Sequence, residues 1–260
     1  MMFALVAIAN LLVGACVGLT GIAGFLLPMF YTGFLGFAPV DSLALSFTAF
    51  IASGLLGCPA YRKTGNLPLR TTAWFGAGSI VGALAGVRVG LALPADVLTV
   101  ALYAVVLVSG ASVLIRMVPR QRTAPRTKTA PEQSGGAGGS HVAYALIGAA
   151  TALICAATGA GGPVLVMPIL MLLRFPARTA VAVSLLDSVA IAVPGAIGYL
   201  AGGAVAPLTW ALVAPALVGM AVGTVMGSRW SVRINANLLK GIVAVGSVGI
   251  ALLKLSQTLL

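Results

Sequence analysis

Charged residues are scarce in this chain of 260 residues, and acidic residues are the scarcest. Asp and Glu together number 4, charged residues make up 7% of the sequence, and hydrophobic residues make up 60%. The mean hydropathy is +1.11. A soluble domain needs more polar residues than this to cover its surface. The composition therefore excludes a soluble globular protein and predicts an integral membrane protein.

Groups that catalyse reactions or bind metals are also few. His141 is the single histidine, and no paired carboxylates, Ser-His arrangement or metal-ligand spacing can be assembled from the other residues. The chain has no Walker motif either, which excludes ATP hydrolysis within it. The cysteines, Cys16, Cys58 and Cys155, lie in apolar segments and are expected to be small hydrophobic residues. We predict no enzyme activity, no catalytic residue, no cofactor and no metal.

Eight apolar segments account for most of the chain. They cover residues 3–36, 40–60, 71–93, 97–117, 142–173, 178–201, 207–228 and 237–255. A hydrocarbon core about 30 Å thick requires about 20 apolar residues per helical span. Gly, Ser and Thr occur throughout and apolar residues do not alternate strictly, which favours helices over a β-barrel. The predicted fold class is an all-α polytopic helical membrane protein. No cleaved signal peptide is expected, because the apolar start of the chain lacks a basic region.

The same interruption occurs in two of these segments. Thr20-Gly21-Ile22-Ala23-Gly24 lies in the first, and Thr158-Gly159-Ala160-Gly161-Gly162 lies 138 positions later. The same shift pairs Phe37 with Phe175, Ser46 with Ser184 and Tyr61 with Tyr199. With one residue of slippage, Gly82 then aligns with Gly219 in two Gly-x-x-x-Gly ladders, which let helices approach closely. We interpret the chain as two homologous halves, and we expect the paired tyrosines to be interfacial anchors.

The connection between the halves is polar and basic. The net charge of +11 comes from Lys and Arg at segment ends, which is typical of membrane topology and not of nucleic-acid binding. Residues 118–140 hold Arg120, Arg122, Arg126 and Lys128, followed by a Gly-rich stretch. We predict a first membrane repeat at 1–117, a flexible basic cytoplasmic linker at 118–140 and a second membrane repeat at 141–260.

Loop charges indicate that the two repeats are inverted. The loop with Arg62, Lys63 and Arg70 corresponds to the uncharged loop 201–207 in the second half. If basic loops face the cytoplasm, equivalent loops lie on opposite sides of the membrane. An even number of spans per half would not give inversion, and residues 25–36 form only about 18 Å of helix. We therefore expect 3–36 and 142–173 to be broken hairpins, re-entrant or crossing twice; eight plain parallel spans are the alternative.

The interruptions are candidate anion-binding sites. A break leaves backbone N–H groups without helical partners, and the helix that begins after it adds a positive dipole end. Thr20 and Thr158 would contribute hydroxyls, while the glycines allow a ligand to approach the backbone: Gly21, Gly24, Gly159, Gly161 and Gly162. The alternative is that these glycines only bend helices or permit packing.

Three further polar residues lie within apolar spans. Asp187 should pair, line water or stay protonated, and we predict that it couples transport to protons; a structural hydrogen bond is the alternative. Its counterpart in the first half is Ala49. Ser46 and Ser184 lie at equivalent mid-span positions and could donate to a substrate oxygen, although back-bonding within the helix is equally expected.

The sequence resembles the TauE/SafE family of sulfite exporters, also called toluene sulfonate uptake permeases. The resemblance is carried by Gly18-Leu19-Thr20-Gly21-Ile22-Ala23-Gly24 with Pro28, Ala44-Leu45-Ser46-Phe47, Tyr61-Arg62-Lys63-Thr64-Gly65, Thr158-Gly159-Ala160-Gly161-Gly162-Pro163 with Pro168, and Ala182-Val183-Ser184-Leu185. It implies a secondary carrier in the inner cell membrane that moves small sulfur-containing or organic anions, often outward.

We therefore predict a secondary transporter, an exporter of small organosulfur or related anions such as sulfite or sulfonates. It would work by alternating access around a midplane anion site, with the lipid bilayer, the anion and a proton as its partners and no nucleic acid. The oligomeric state is not predicted. A membrane assembly or accessory subunit without transport activity, and a passive anion channel, are the alternatives.

Overall fold

The architecture is entirely helical wherever the chain is described. A computed structural model describes residues 2–20, 23–62, 68–117, 140–173, 175–230 and 236–259. These residues form α1 Met2–Thr20, α2 Leu26–Gly33, α3 Pro39–Arg62, α4 Leu69–Ala92, α5 Ala95–Met117, α6 His141–Thr158, α7 Gly162–Leu172, α8 Ala177–Gly202, α9 Pro207–Trp230 and α10 Ala236–Leu259. A short 3-10 helix, Ala23–Phe25, precedes α2. The described ranges contain no strand, and the predicted all-α fold class is confirmed.

Most of these helices are long and apolar enough to cross a membrane. Within the described residues 7 helices meet that condition, namely α1, α3, α4, α5, α6, α8 and α9, and α10 adds a shorter apolar stretch, Val245–Lys254. Large apolar side chains cover the outer surface; Val81, for example, is 66% exposed. Such a surface suits lipid tails and not water. The prediction of a polytopic helical membrane protein is confirmed, whereas the predicted linker 118–140 lies outside the described residues except for Ser140.

Both predicted breaks are present. The segment 3–36 consists of the long helix α1, a break and the 8-residue helix α2. The segment 142–173 likewise consists of α6, a break and the 11-residue helix α7. At 1.5 Å per residue, α2 and α7 are roughly 12 and 16 Å long, too short to cross the hydrocarbon core. Each half therefore contains one helix that covers only part of the membrane.

The two halves share a single core. Under the predicted repeat, α1 to α5 correspond to α6 to α10. In these terms, the contact of α1 with α9 is equivalent to that of α4 with α6, and α3 packs on its own counterpart α8, as α5 does on α10. Each half thus buries its apolar faces mainly against the other half.

Glycines bring two of these helix pairs into backbone contact. A Cβ atom on Gly82 would collide with the backbone of Ala149, and one on Gly219 would collide with the carbonyl oxygen of Ala7. Gly78 makes the same contact with Ala145, which is the counterpart of Ala7 under the shift of 138. In packing, Gly219 therefore occupies the same position against α1 as Gly78 does against α6. The glycine ladders predicted from the sequence are present at both helix pairs.

The contacts also define the directions in which the helices run. Gly57 of α3 lies against Leu185 of α8, and Gly195 of α8 lies against the ring of Phe47. As residue numbers rise along α3 they fall along α8, so these two equivalent helices are antiparallel. In contrast, α4 is parallel to α6, because successive glycines of α4 meet successively later residues of α6.

Candidate functional site

The two breaks meet at the side chain of Phe50, near the middle of α3. A Cβ atom placed on Gly24 would lie 3.2 Å from Cε1 of Phe50, and one placed on Gly161 would lie 3.4 Å from Cε2 of the same ring. The ring is 2% exposed. The breaks are therefore on opposite edges of one buried aromatic ring, although they belong to different halves of the chain.

A short helix follows each break. Gly161 is the N-cap residue of α7, whereas α2 continues directly from the 3-10 helix Ala23–Phe25, whose last residue has φ −61° and ψ −15°. The first N–H groups of a helix have no intrahelical acceptor and carry the positive end of its dipole. The amino ends of α7 and of the helical segment that starts at Ala23 thus lie near Phe50, in an arrangement that favours negative charge.

The second break depends on glycine for its backbone conformation. Gly159 has φ 70° and Gly161 has φ 73°, in the left-handed region that side chains with a Cβ rarely adopt. Gly159 also lies against the first half, since a Cβ there would be 3.1 Å from Cγ of Pro28 in α2 and would collide with Leu43 in α3. Glycine is therefore required at Gly159 for both backbone conformation and space.

The predicted hydroxyl ligands are engaged within their own helices. Thr158 Oγ1 donates to the carbonyl of Ile154 at 2.7 Å. Ser46 Oγ donates to Ser42 at 2.6 Å and Ser184 Oγ donates to Val181 at 3.0 Å. These protons would have to be redirected before they could bind an anion, whereas the oxygens can still accept a hydrogen bond.

Part of the predicted site falls outside the described structure. Gly21 is not among the described residues, and nothing is described of the side chain of Thr20. Gly162 is the first residue of α7, and Gly24 belongs to the 3-10 helix. The residues that the structure brings together across the halves are thus Gly24, Gly161 and Phe50.

Asp187 of α8 is a buried carboxyl group without a hydrogen-bond partner among the described residues. It is 1% exposed, and neither of its oxygens accepts a hydrogen bond of normal geometry. The Ser79 hydroxyl and the Cys155 thiol lie close enough to interact with it electrostatically. Cys155 also donates to the carbonyl of Gly161 at 3.5 Å. Cys155 thus contacts the second break and interacts electrostatically with Asp187.

No metal site accompanies these groups in the described part of the chain. No cluster of at least 3 His, Cys, Asp or Glu side chains comes together there. The chemistry available at the site is therefore that of backbone amides, helix ends, hydroxyls and one carboxyl group.

Sequence reasoning missed Phe50 at the site and Asn10 in the packing of α1, and it misplaced a third residue. Phe50 is an apolar residue in an apolar helix, so no sequence pattern distinguishes it. Asn10 ties α1 to α2, because its amide donates to the Val6 carbonyl at 2.8 Å and to the Tyr31 hydroxyl. A lone amide in an apolar run was a detectable sign of that role.

Tyr199 is the misplaced residue. Its hydroxyl donates to the carbonyl of Ala156 at 2.9 Å, and its ring stacks on Phe47 with a centroid separation of 5.8 Å. The residue is fully buried. The prediction that it is an interfacial anchor was wrong, because tertiary packing provides an acceptor for its hydroxyl inside the bundle. The side chain of its counterpart Tyr61 lies outside the described residues.

A known protein family matches nearly the whole chain. The family model described as Sulfite exporter TauE/SafE matches residues 6–253. The chain belongs to the TauE/SafE sulfite exporter family. The match spans both halves and both breaks, and the resemblance stated from the motifs is confirmed. No match to the chain was found among curated proteins, and none among solved structures. Membership of this family, together with seven apolar helices, supports a transport role in a membrane and fits the prediction that the chain is not an enzyme.

Proposed function

We propose that this TauE/SafE protein is a secondary transporter that exports small organosulfur or related anions, such as sulfite or sulfonates, across the inner cell membrane. The observation that carries the proposal is the position of two glycines, Gly24 and Gly161, on opposite edges of Phe50, each at the start of a short helical segment. Broken helices that meet at membrane depth are typical of substrate sites in secondary transporters.

The charge of the substrate follows from the chemistry of these ends. Each helix amino end favours an anion by about 0.3–1 kcal/mol when exposed and by up to about 2 kcal/mol when partly buried. Backbone N–H groups donate to sulfonyl or carboxylate oxygens without requiring a cationic side chain. The family description, Sulfite exporter, supports a sulfur oxyanion as the substrate class.

Alternating access is supported by the directions of the helices. The helices α3 and α8 are antiparallel, while α1 is parallel to α9 and α4 is parallel to α6. These directions are the ones expected if equivalent helices of the two halves run in opposite directions. We propose inverted repeats at 1–117 and 141–260 that rock around the central site, with the linker in the cytoplasm.

Asp187 supports coupling to a proton. An ionised carboxylate without partners is strongly disfavoured in a buried apolar site, and protonation removes its charge. Cys155 interacts electrostatically with Asp187 and donates to the Gly161 carbonyl, so a change in the charge of Asp187 would be felt next to the second break. We propose that Asp187 takes up and releases the coupling proton during each transport cycle.

Flux measurements in liposomes test the proposal. Purified protein should move sulfite saturably, and Gly161→Ala should abolish the flux because φ 73° strains a residue with a Cβ. Gly246→Ala is the matched control, since a Cβ at Gly246 meets nothing within 4 Å. If the folded protein moves neither sulfite, sulfonate nor carboxylate, with or without a proton gradient, the accessory-subunit alternative is correct. Flux that never saturates would favour the passive channel.

A further inference from the structure

The ring of Phe50 lies between one glycine of each break. Its Cε1 edge faces Gly24 and its Cε2 edge faces Gly161, and in both cases the ring atoms are the nearest atoms to the position of a Cβ. A ligand bound between these two glycines would therefore lie against this ring.

The ring is held by further aromatic residues. Phe47 packs edge-on against Phe50, with centroids 6.0 Å apart and an interplanar angle of 88°. Phe47 in turn stacks on Tyr199 at an interplanar angle of 3°, and Tyr199 is bonded to the end of α6. A ring supported in this way cannot be displaced without moving its neighbours, because protein interiors are close-packed.

The repeat has no second ring at this place. The shift of 138 aligns Phe50 with Ser188, a small and buried residue of α8. The aromatic residue is thus a property of the first half alone. A purely structural requirement of the repeat would apply to both halves, so this asymmetry points to a role in the site.

We infer that Phe50 is a specificity-determining residue that restricts the central site to small oxyanions of the size of sulfite. This inference rests on the proposed function and narrows its substrate class. A sulfonate with a bulky aromatic group would require the volume that the ring occupies, whereas sulfite can bind at a ring edge. The ring edge carries partial positive charge and so tolerates a neighbouring anion.

The test compares sulfite with 4-toluenesulfonate as substrates in proteoliposomes. In the wild-type protein the initial rate should be higher for sulfite. Phe50→Ala should raise the ratio of 4-toluenesulfonate flux to sulfite flux by about 10-fold or more, because pocket volume controls such discrimination. Phe75→Ala is the matched control: Phe75 is equally buried but belongs to α4, and its removal should leave the ratio unchanged.

The outcomes separate this inference from the function on which it rests. If Phe50→Ala does not fold, Phe50→Leu and a thermal-shift comparison of the two anions measure the same change in selectivity. An unchanged ratio in folded variants that still carry sulfite overturns the inference and leaves the transporter intact. Equal wild-type rates for both anions also overturn it. Absence of any flux from wild-type protein overturns the proposed function and this inference together.

Discussion

Tyr199→Phe isolates a single hydrogen bond beside the second break. The substitution removes the hydroxyl that donates to Ala156 at 2.9 Å and keeps the ring that stacks on Phe47. Ala156 lies in the last turn of α6, where backbone carbonyls lack intrahelical donors. The bond therefore holds the end of α6 immediately before the glycines of the break.

The expected cost can be worked out from the surroundings of the bond. A Cβ on Gly90 would collide with the Tyr199 hydroxyl, so the backbone of α4 lies directly against this group, and the residue is fully buried. Hydrogen bonds between membrane helices average about 0.6 kcal/mol and reach about 1.7 kcal/mol, and an unpaired buried carbonyl costs about 1–3 kcal/mol. We expect Tyr199→Phe to lower the free energy of unfolding by about 1–2 kcal/mol.

Unfolding in detergent, followed by circular dichroism, measures this change. Tyr144→Phe serves as the control, since Tyr144 is also buried but its hydroxyl makes no hydrogen bond with the described residues. A second readout is sulfite flux, which should fall in Tyr199→Phe because the end of α6 loses its anchor. If Tyr199→Phe is as stable as the wild-type protein and transports at the same rate, the bond does not support the break.

Three further substitutions test other contacts. Asp187→Asn mimics a permanently protonated carboxyl group and should abolish sulfite-dependent proton movement, which a pH-sensitive dye inside liposomes measures. Persistent proton movement would exclude Asp187 as the coupling group. Gly82→Leu should destabilise the protein by about 2–3 kcal/mol in the same unfolding assay, because the side chain meets the backbone of α6, whereas Gly246→Leu should have little effect. Asp41→Ala removes the acceptor for the Ala206 N–H at 3.0 Å and the Thr209 hydroxyl at 2.8 Å, and should lower the free energy of unfolding by about 1–2 kcal/mol. Asp41→Asn keeps an acceptor oxygen and should retain most of this stability. Equal losses of stability in the two variants would contradict a capping role for Asp41.

Local features of the chain were predictable from the sequence. The breaks at Gly24 and Gly161 follow from glycine-rich interruptions of apolar runs, and their existence needs no knowledge of neighbouring helices. The helical class and the multi-pass arrangement follow in the same way from the length and composition of each segment. These properties depend on residues close in sequence, so a one-dimensional pattern is enough to detect them.

Contacts between the halves were less predictable. The glycine ladders were recognised, but the sequence did not show which residues they meet, such as Ala145 against Gly78 and Ala7 against Gly219. Those partners depend on how apolar helices pack, which a sequence pattern does not specify. The roles of Thr158, Ser46 and Ser184 as ligands stay predictions, to be tested by the flux measurements.

The sequence by itself determined that this chain is an all-helical membrane protein of a transporter family with two glycine-rich breaks. Hydropathy and glycine placement depend on residues close in sequence and not on the fold. Only the tertiary structure decided that both breaks lie against one ring, Phe50, and that Gly159 of the second break lies against Pro28 and Leu43 of the first half. Those relations arise where helices from different halves cross, and packing in three dimensions sets which side chains meet there.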